Sequence, residues 1–157
     1  MADTETNAAH LDAVRPTPID EHGKLRCIAA TITQGAAAGD AGSTVVIGKL
    51  PPGPVRVLPH LCRYKVTALG ASRTMDIGHK AYQSRGDVAQ TNEAEDDNAF
   101  ADNIDVSSAT DAAFPNTAGQ KWDMWSANGI TLFATVDSGT IPAAAVFEFL
   151  IVFVDVN

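Results

Sequence analysis

Positive charge is scarce in this chain. Eleven Lys and Arg stand against nineteen Asp and Glu, a formal net charge of -8. A surface that grips DNA or anionic lipid needs clustered Lys and Arg, so nucleic acid and membrane surfaces are excluded as partners. The two cysteines, Cys27 and Cys62, are too few for a disulfide framework or a structural zinc site. No apolar run reaches the roughly 18 to 20 residues of a membrane-spanning helix, and the opening MADTETNAAH lacks the apolar centre of a signal peptide. The expectation is a soluble chain made in the cytoplasm. Charged residues are only 19%, below the usual quarter, so the surface must be built largely from Ala, Thr, Ser, Asn and Gly. With 157 residues, size scaling buries about two thirds of the unfolded surface, enough for a core without staples.

The chain divides into an arm and a domain. Residues 1–24 carry Leu11, Val14 and Ile19 as their only large apolar side chains after Met1, and Pro16 and Pro18 impose extended geometry. Such a segment cannot offset its own ordering entropy, so it is expected to be an extended arm laid along a partner or left free. From Leu25 onward the pattern is that of strands. LRCIAATIT stops at the small-residue loop QGAAAGDAGS, and TVVIGKL stops at Pro51–Pro54. VRVLPHLCRYKVTAL has Pro59 in its middle and reads as an edge strand or as two strands at a corner. RTMDIGHKAYQ places Met75, Ile77 and His79 on one face, and ITLFATV places Ile130, Leu132, Ala134 and Val136 on one face. Six to eight short strands punctuated by Gly, Pro and Asp predict an all-β domain, residues 25–157, a β-sandwich of jelly-roll type. One stretch, Glu93–Ile104, is expected to be a short acidic helical turn with Phe100 and Ile104 four apart on its inner side.

Catalytic and ligand motifs fail on spacing. The loop Gly35–Thr44 has Ser43 and Thr44 but no Lys, so it is not a phosphate-binding loop. No CxxC, HxxxH or HExxH occurs, so Cys27, Cys62, His60 and His79 read as buried thiols and scattered histidines. The eight carboxylates of Asp87–Asp111 lack the glycine and terminal glutamate offsets of a calcium loop and read as a solvated acidic face. No cofactor and no metal are expected, and no enzyme. Trp122 and Trp125, with Tyr64 and Tyr82, leave room for a carbohydrate-binding β-sandwich as an alternative.

The C-terminal strand is the most apolar segment. Phe147, Phe149, Ile151 and Phe153 alternate with Val146, Leu150, Val152 and Val154, so both faces are apolar apart from Glu148. Such a strand must be covered twice, by a further layer of this chain or by another subunit. The expected interface residues are therefore Phe147, Phe149, Ile151 and Phe153, together with Leu11, Val14 and Ile19 of the arm.

Four stretches taken together carry a resemblance: ITQGAAAGDAGSTVVIGKLPPGPVRVLP, ALGASRTMDIGHKAY, NAFADNIDVSSAT and TLFATVDSGTIPAA. From Ile32 to Ala145 the chain resembles the head decoration, or cement, proteins of tailed bacteriophages. That resemblance implies a homotrimeric, β-rich virion protein on the capsid exterior that clamps neighbouring major capsid proteins. It brings no catalytic pattern to transfer. A tail or neck component of the same particle is the alternative within the structural class.

Overall fold

The structure, a computed structural model, describes residues 6–7, 25–85, 90–115 and 122–156. The expected arm residues Leu11, Val14 and Ile19 lie outside them. Thirteen strands are present among the described residues: β1 (Thr6–Asn7), β2 (Leu25–Thr33), β3 (Thr44–Leu50), β4 (Gly53–Val57), β5 (Arg63–Val66), β6 (Thr74–His79), β7 (Tyr82–Arg85), β8 (Gln90–Glu93), β9 (Asp96–Asp105), β10 (Thr110–Ala113), β11 (Asp123–Ser126), β12 (Ile130–Asp137) and β13 (Val146–Asp155). One 3-10 turn, Pro59–Leu61, separates β4 from β5. The domain is all-β, as its period-two patterning requires.

Two sheets face each other. The first runs β1-β3-β12-β6-β9, antiparallel except for the short parallel β1–β3 contact. In the second, β13 is central. Its whole length pairs with β2 on one edge, while β5 and then β4 pair with successive halves of its other edge. Beyond β5 lies β10, and beyond β4 lies β11. β7 and β8 form a separate hairpin.

Pro59 therefore makes two strands out of one long segment, both serving the same side of β13. The interruption is closed by a side chain. Cys62 Sγ accepts the Val152 N–H at 3.2 Å, and its own S–H reaches the Leu58 carbonyl at 3.2 Å. Burial pushes this thiol up to about 11, so it stays protonated and unreactive.

The core lies between the sheets. Ile47, Leu50, Met75, Ile77, Leu132 and Val136 of the first sheet meet Ile32, Val57, Tyr64 and the inner face of β13. Gly48 sits at a bulge of β3 where a Cβ would press into Ile28, so glycine lets the two sheets close at this end.

Two sequence-based expectations fail. Glu93–Ile104 is not a helical turn: β8 ends within it and β9 occupies Asp96–Asp105. The four-residue interval from Phe100 to Ile104 keeps one face in a strand as well as in a helix, so the spacing is degenerate. Pairing with β6 decides it, because nothing in a short acidic turn competes with a ladder of interstrand hydrogen bonds. The second correction concerns β13. Phe147, Phe149, Ile151 and Phe153 are all buried against this chain's own opposite sheet. Their apolarity serves the core, and an interface cannot use them.

Candidate interaction surface

The face of β13 that remains for a neighbour is the other one. Val146, Glu148, Leu150 and Val154 are partly exposed there. Across one ladder they stand beside Thr33, Thr31, Ala29 and Leu25 of β2, all exposed. Leu25, at 61%, is the most exposed of the large apolar side chains described. On the other side Leu150 pairs with Arg63 and Glu148 with Lys65. The result is a strip of small and apolar side chains along β2 and β13, interrupted by Glu148 and bordered by Arg63 and Lys65.

Those charges are matched in pairs. Lys65 Nζ lies 3.1 Å from Glu148 Oε1, Arg63 Nη2 lies 2.8 Å from Asp111 Oδ1, and Arg56 is paired with Asp123. Each pair is exposed to solvent, which screens it, so its contribution to stability is small. Their effect is local neutrality in a strongly acidic chain. Ala29, Thr31, Arg63, Lys65, Glu148 and Leu150 line an open groove of about 430 Å³ on this face. A small apolar centre with a polar rim is the make-up of a protein interface.

The outer face of the first sheet differs. Phe133 points outward yet is buried, with Lys80 Nζ 4.3 Å from its ring centroid and held by Glu95 at 3.2 Å. Further along, Asp76 is almost fully buried and accepts the Asn103 N–H at 2.6 Å. Burial pushes its carboxyl up to about 6. The Asn103 bond opposes that shift, while the hydrogen-bonded Asp137 carboxyl and the charge of Asp102 add to it. Among the described residues no three His, Cys, Asp or Glu side chains converge to hold a metal.

The Asp76 carboxyl has a stability consequence. Its folded pKa lies above the unfolded value of 3.8, so the folded state holds this proton more tightly. Its stabilising contribution is full below about pH 4 and is lost as pH rises through about 6. Asp76→Asn keeps an acceptor for Asn103 and offers a donor to Asp137. The variant is expected to melt about 2–4 °C above the parent at about pH 7.5, roughly 1 kcal/mol after solvent screening, with the difference vanishing near pH 4. Thermal melts across that range check it, and parallel profiles for the two proteins would contradict it.

The aromatic residues do not form a sugar platform. Trp122 packs on the core with its ring centroid 5.5 Å from Phe100, and Trp125, three positions on, faces the other side of β11. Tyr64 is buried beside Phe114, and Tyr82 is buried edge-on to His79 at 5.0 Å. His79 is a core histidine whose Nδ1 lies 3.1 Å from the Lys80 carbonyl. Cys27 is exposed on β2 and Cys62 is buried, and both are free thiols.

Comparison with solved structures gives full-length matches. The chain superimposes on a chain from the capsid of Ralstonia phage GP4 with a TM-score of 0.67 at 19% identity, over 98% of this chain and 99% of that one. The chain shares the fold of that capsid chain. It also matches a chain of the cyanophage Pam1 capsid asymmetric unit, TM-score 0.58 at 11% identity, over 93% and 96% of the two chains. At these identities the likeness is one of fold, and it extends over whole chains of nearly equal length. No family model matches the sequence, and no curated protein matches it.

Sequence patterning did not point to the residues of the apolar strip. The available signal was Glu148, the one charge between Val146 and Val154, which marks the outward face of its strand and places Val146 and Leu150 beside it.

Proposed function

We propose that the chain is a non-enzymatic structural protein of a phage virion, a decoration or cement protein on the capsid exterior that bridges neighbouring major capsid proteins. The observation that carries this reading is the end-to-end fold match to chains of two phage capsids. The strand order adds support. Taking β4 with β5 and β10 with β11 as single broken strands, the main segments follow 1-8-3-6 in one sheet and 2-7-4-5 in the other. That is the connectivity of a jelly roll, an architecture common in capsid domains. The neutral apolar strip of β2 and β13 supplies a surface suited to protein contact, and the acidic remainder discourages nucleic acid. In this reading residues 1–24 are an arm that anchors through Leu11, Val14 and Ile19, and the copies associate as a homo-oligomer, a trimer being the number the resemblance implies.

Electron microscopy of virions made without the protein tests the assignment. Fragile or lost heads with normal tails are expected. Intact heads on particles with defective tails or necks would move the protein to the tail reading.

A further inference from the structure

We propose that β2 pairs with β2 of a second copy, antiparallel about a two-fold axis through Ala29. Among the described residues β2 pairs only with β13, so its other edge has no ladder partner there. Long edge strands are normally blunted by Lys, Pro, a bulge or brevity. β2 runs nine residues without a register shift, contains no proline or glycine, and carries one charge, Arg26, already paired with Asp155 at 2.9 Å.

The ladder fixes which groups face that edge. The Gln34 N–H donates to the Ala145 carbonyl at 2.8 Å, in register with the β2–β13 pairing. Antiparallel hydrogen-bonded pairs alternate, so Ile32, Ala30, Ile28 and Arg26 direct their N–H and C=O toward β13. Leu25, Cys27, Ala29, Thr31 and Thr33 therefore direct theirs to the free edge. Ala29 is the midpoint of this set. A two-fold there sets Leu25 against Thr33, Cys27 against Thr31 and Ala29 against Ala29, each exchanging a pair of hydrogen bonds with the other copy. Every edge-facing group of β2 is then satisfied.

Side chains agree with this register. The outward residues are small or apolar, so no like charges meet across the axis. The second copy is also the occupant that charge allows. This chain is acidic overall, and the flanking face is the one where Arg56, Arg63 and Lys65 neutralise Asp123, Asp111 and Glu148. Two copies can approach here without repulsion, and joining the edges makes their apolar strips continuous. The contact is compatible with threefold association through another surface.

The test uses the full purified chain. Ala29→Pro removes an N–H that faces the free edge and takes no part in the β13 ladder, so the fold is kept while the pairing is blocked. Sedimentation at micromolar concentration should show the parent as an assembly and the variant with its mass reduced at least by half. Thr31→Cys provides a second reading. The paired Cα atoms would lie about 5.5 Å apart, within disulfide range, so mild oxidation should link Cys27 to the new cysteine of the other copy. A covalent dimer should appear on a non-reducing gel, and be absent from the parent and from Thr31→Cys combined with Cys27→Ser. A monomeric parent, an Ala29→Pro variant of native melting and unchanged mass, or a Thr31→Cys variant that stays single would each overturn the pairing. Should Ala29→Pro fail to fold, the disulfide experiment decides between pairing and no pairing. The contact is read on isolated protein, so its failure is distinct from failure of the virion assignment.

Discussion

Replacing Phe149 by aspartate is expected to abolish cooperative folding, while replacing its neighbour Leu150 by aspartate lowers the melting temperature by only about 2–4 °C. Phe149 is buried between the sheets and stacks near Phe147 at 6.4 Å between ring centroids. Removing such a ring alone costs about 3–5 kcal/mol, and an unpaired buried carboxylate adds several more. The sum rivals the whole stability of a domain this size, about 5–15 kcal/mol. Leu150 lies on the outer face beside Arg63, where a carboxylate finds both water and a cation. Its replacement should cost about 1 kcal/mol and weaken association through the apolar strip. Circular dichroism and sedimentation on both variants check the pair. A Phe149→Asp protein that folds and merely dissociates would return these aromatic side chains to an interface.

The second large effect is expected at Gly78. The ladder between β6 and β9 slips here: Ile77 pairs with Ala101, but His79 pairs with Asp96. The extra residues of β9 fold over the strand, and the backbone of Asp96 and Asp97 rests where a Cβ of residue 78 would stand. Neighbouring backbone cannot yield as a side-chain tip does. Gly78→Ala should therefore cost about 3 kcal/mol, at the upper end of overpacking, and lower the melting temperature by roughly 6–12 °C. Hydrogen exchange should show the loss concentrated in β9, with β2 and β13 still protected. A variant with parental stability and unchanged protection in β9 would refute the close approach.

Much of the strand pattern was legible because burial on one face writes itself as alternation. LRCIAATIT, TVVIGKL and ITLFATV each became a strand over nearly the predicted span. Pro59 announced a break, although only the structure shows both halves sharing one edge of β13, with a thiol closing the gap. The failures have a common origin. The Phe100–Ile104 interval fits two kinds of secondary structure, and tertiary pairing chooses between them. An apolar strand needs cover on each face, but the sequence does not say which cover is its own sheet. In β13 the larger aromatic residues fill the core, and the smaller Val146 and Leu150 flank Glu148 on the outside. An edge is still harder to see, because it belongs to the strand order and not to any single strand. The unblunted character of β2 is written in its residues, yet it means something only once β2 is known to be an edge.

Icosahedral reconstruction of a phage particle containing this chain is the decisive test of the decoration role. Density for the two-sheet domain is expected on the outer surface of the head, in contact with more than one major capsid protein. Heads bare of that density, with the domain found in the tail or neck or absent from the particle, would contradict it.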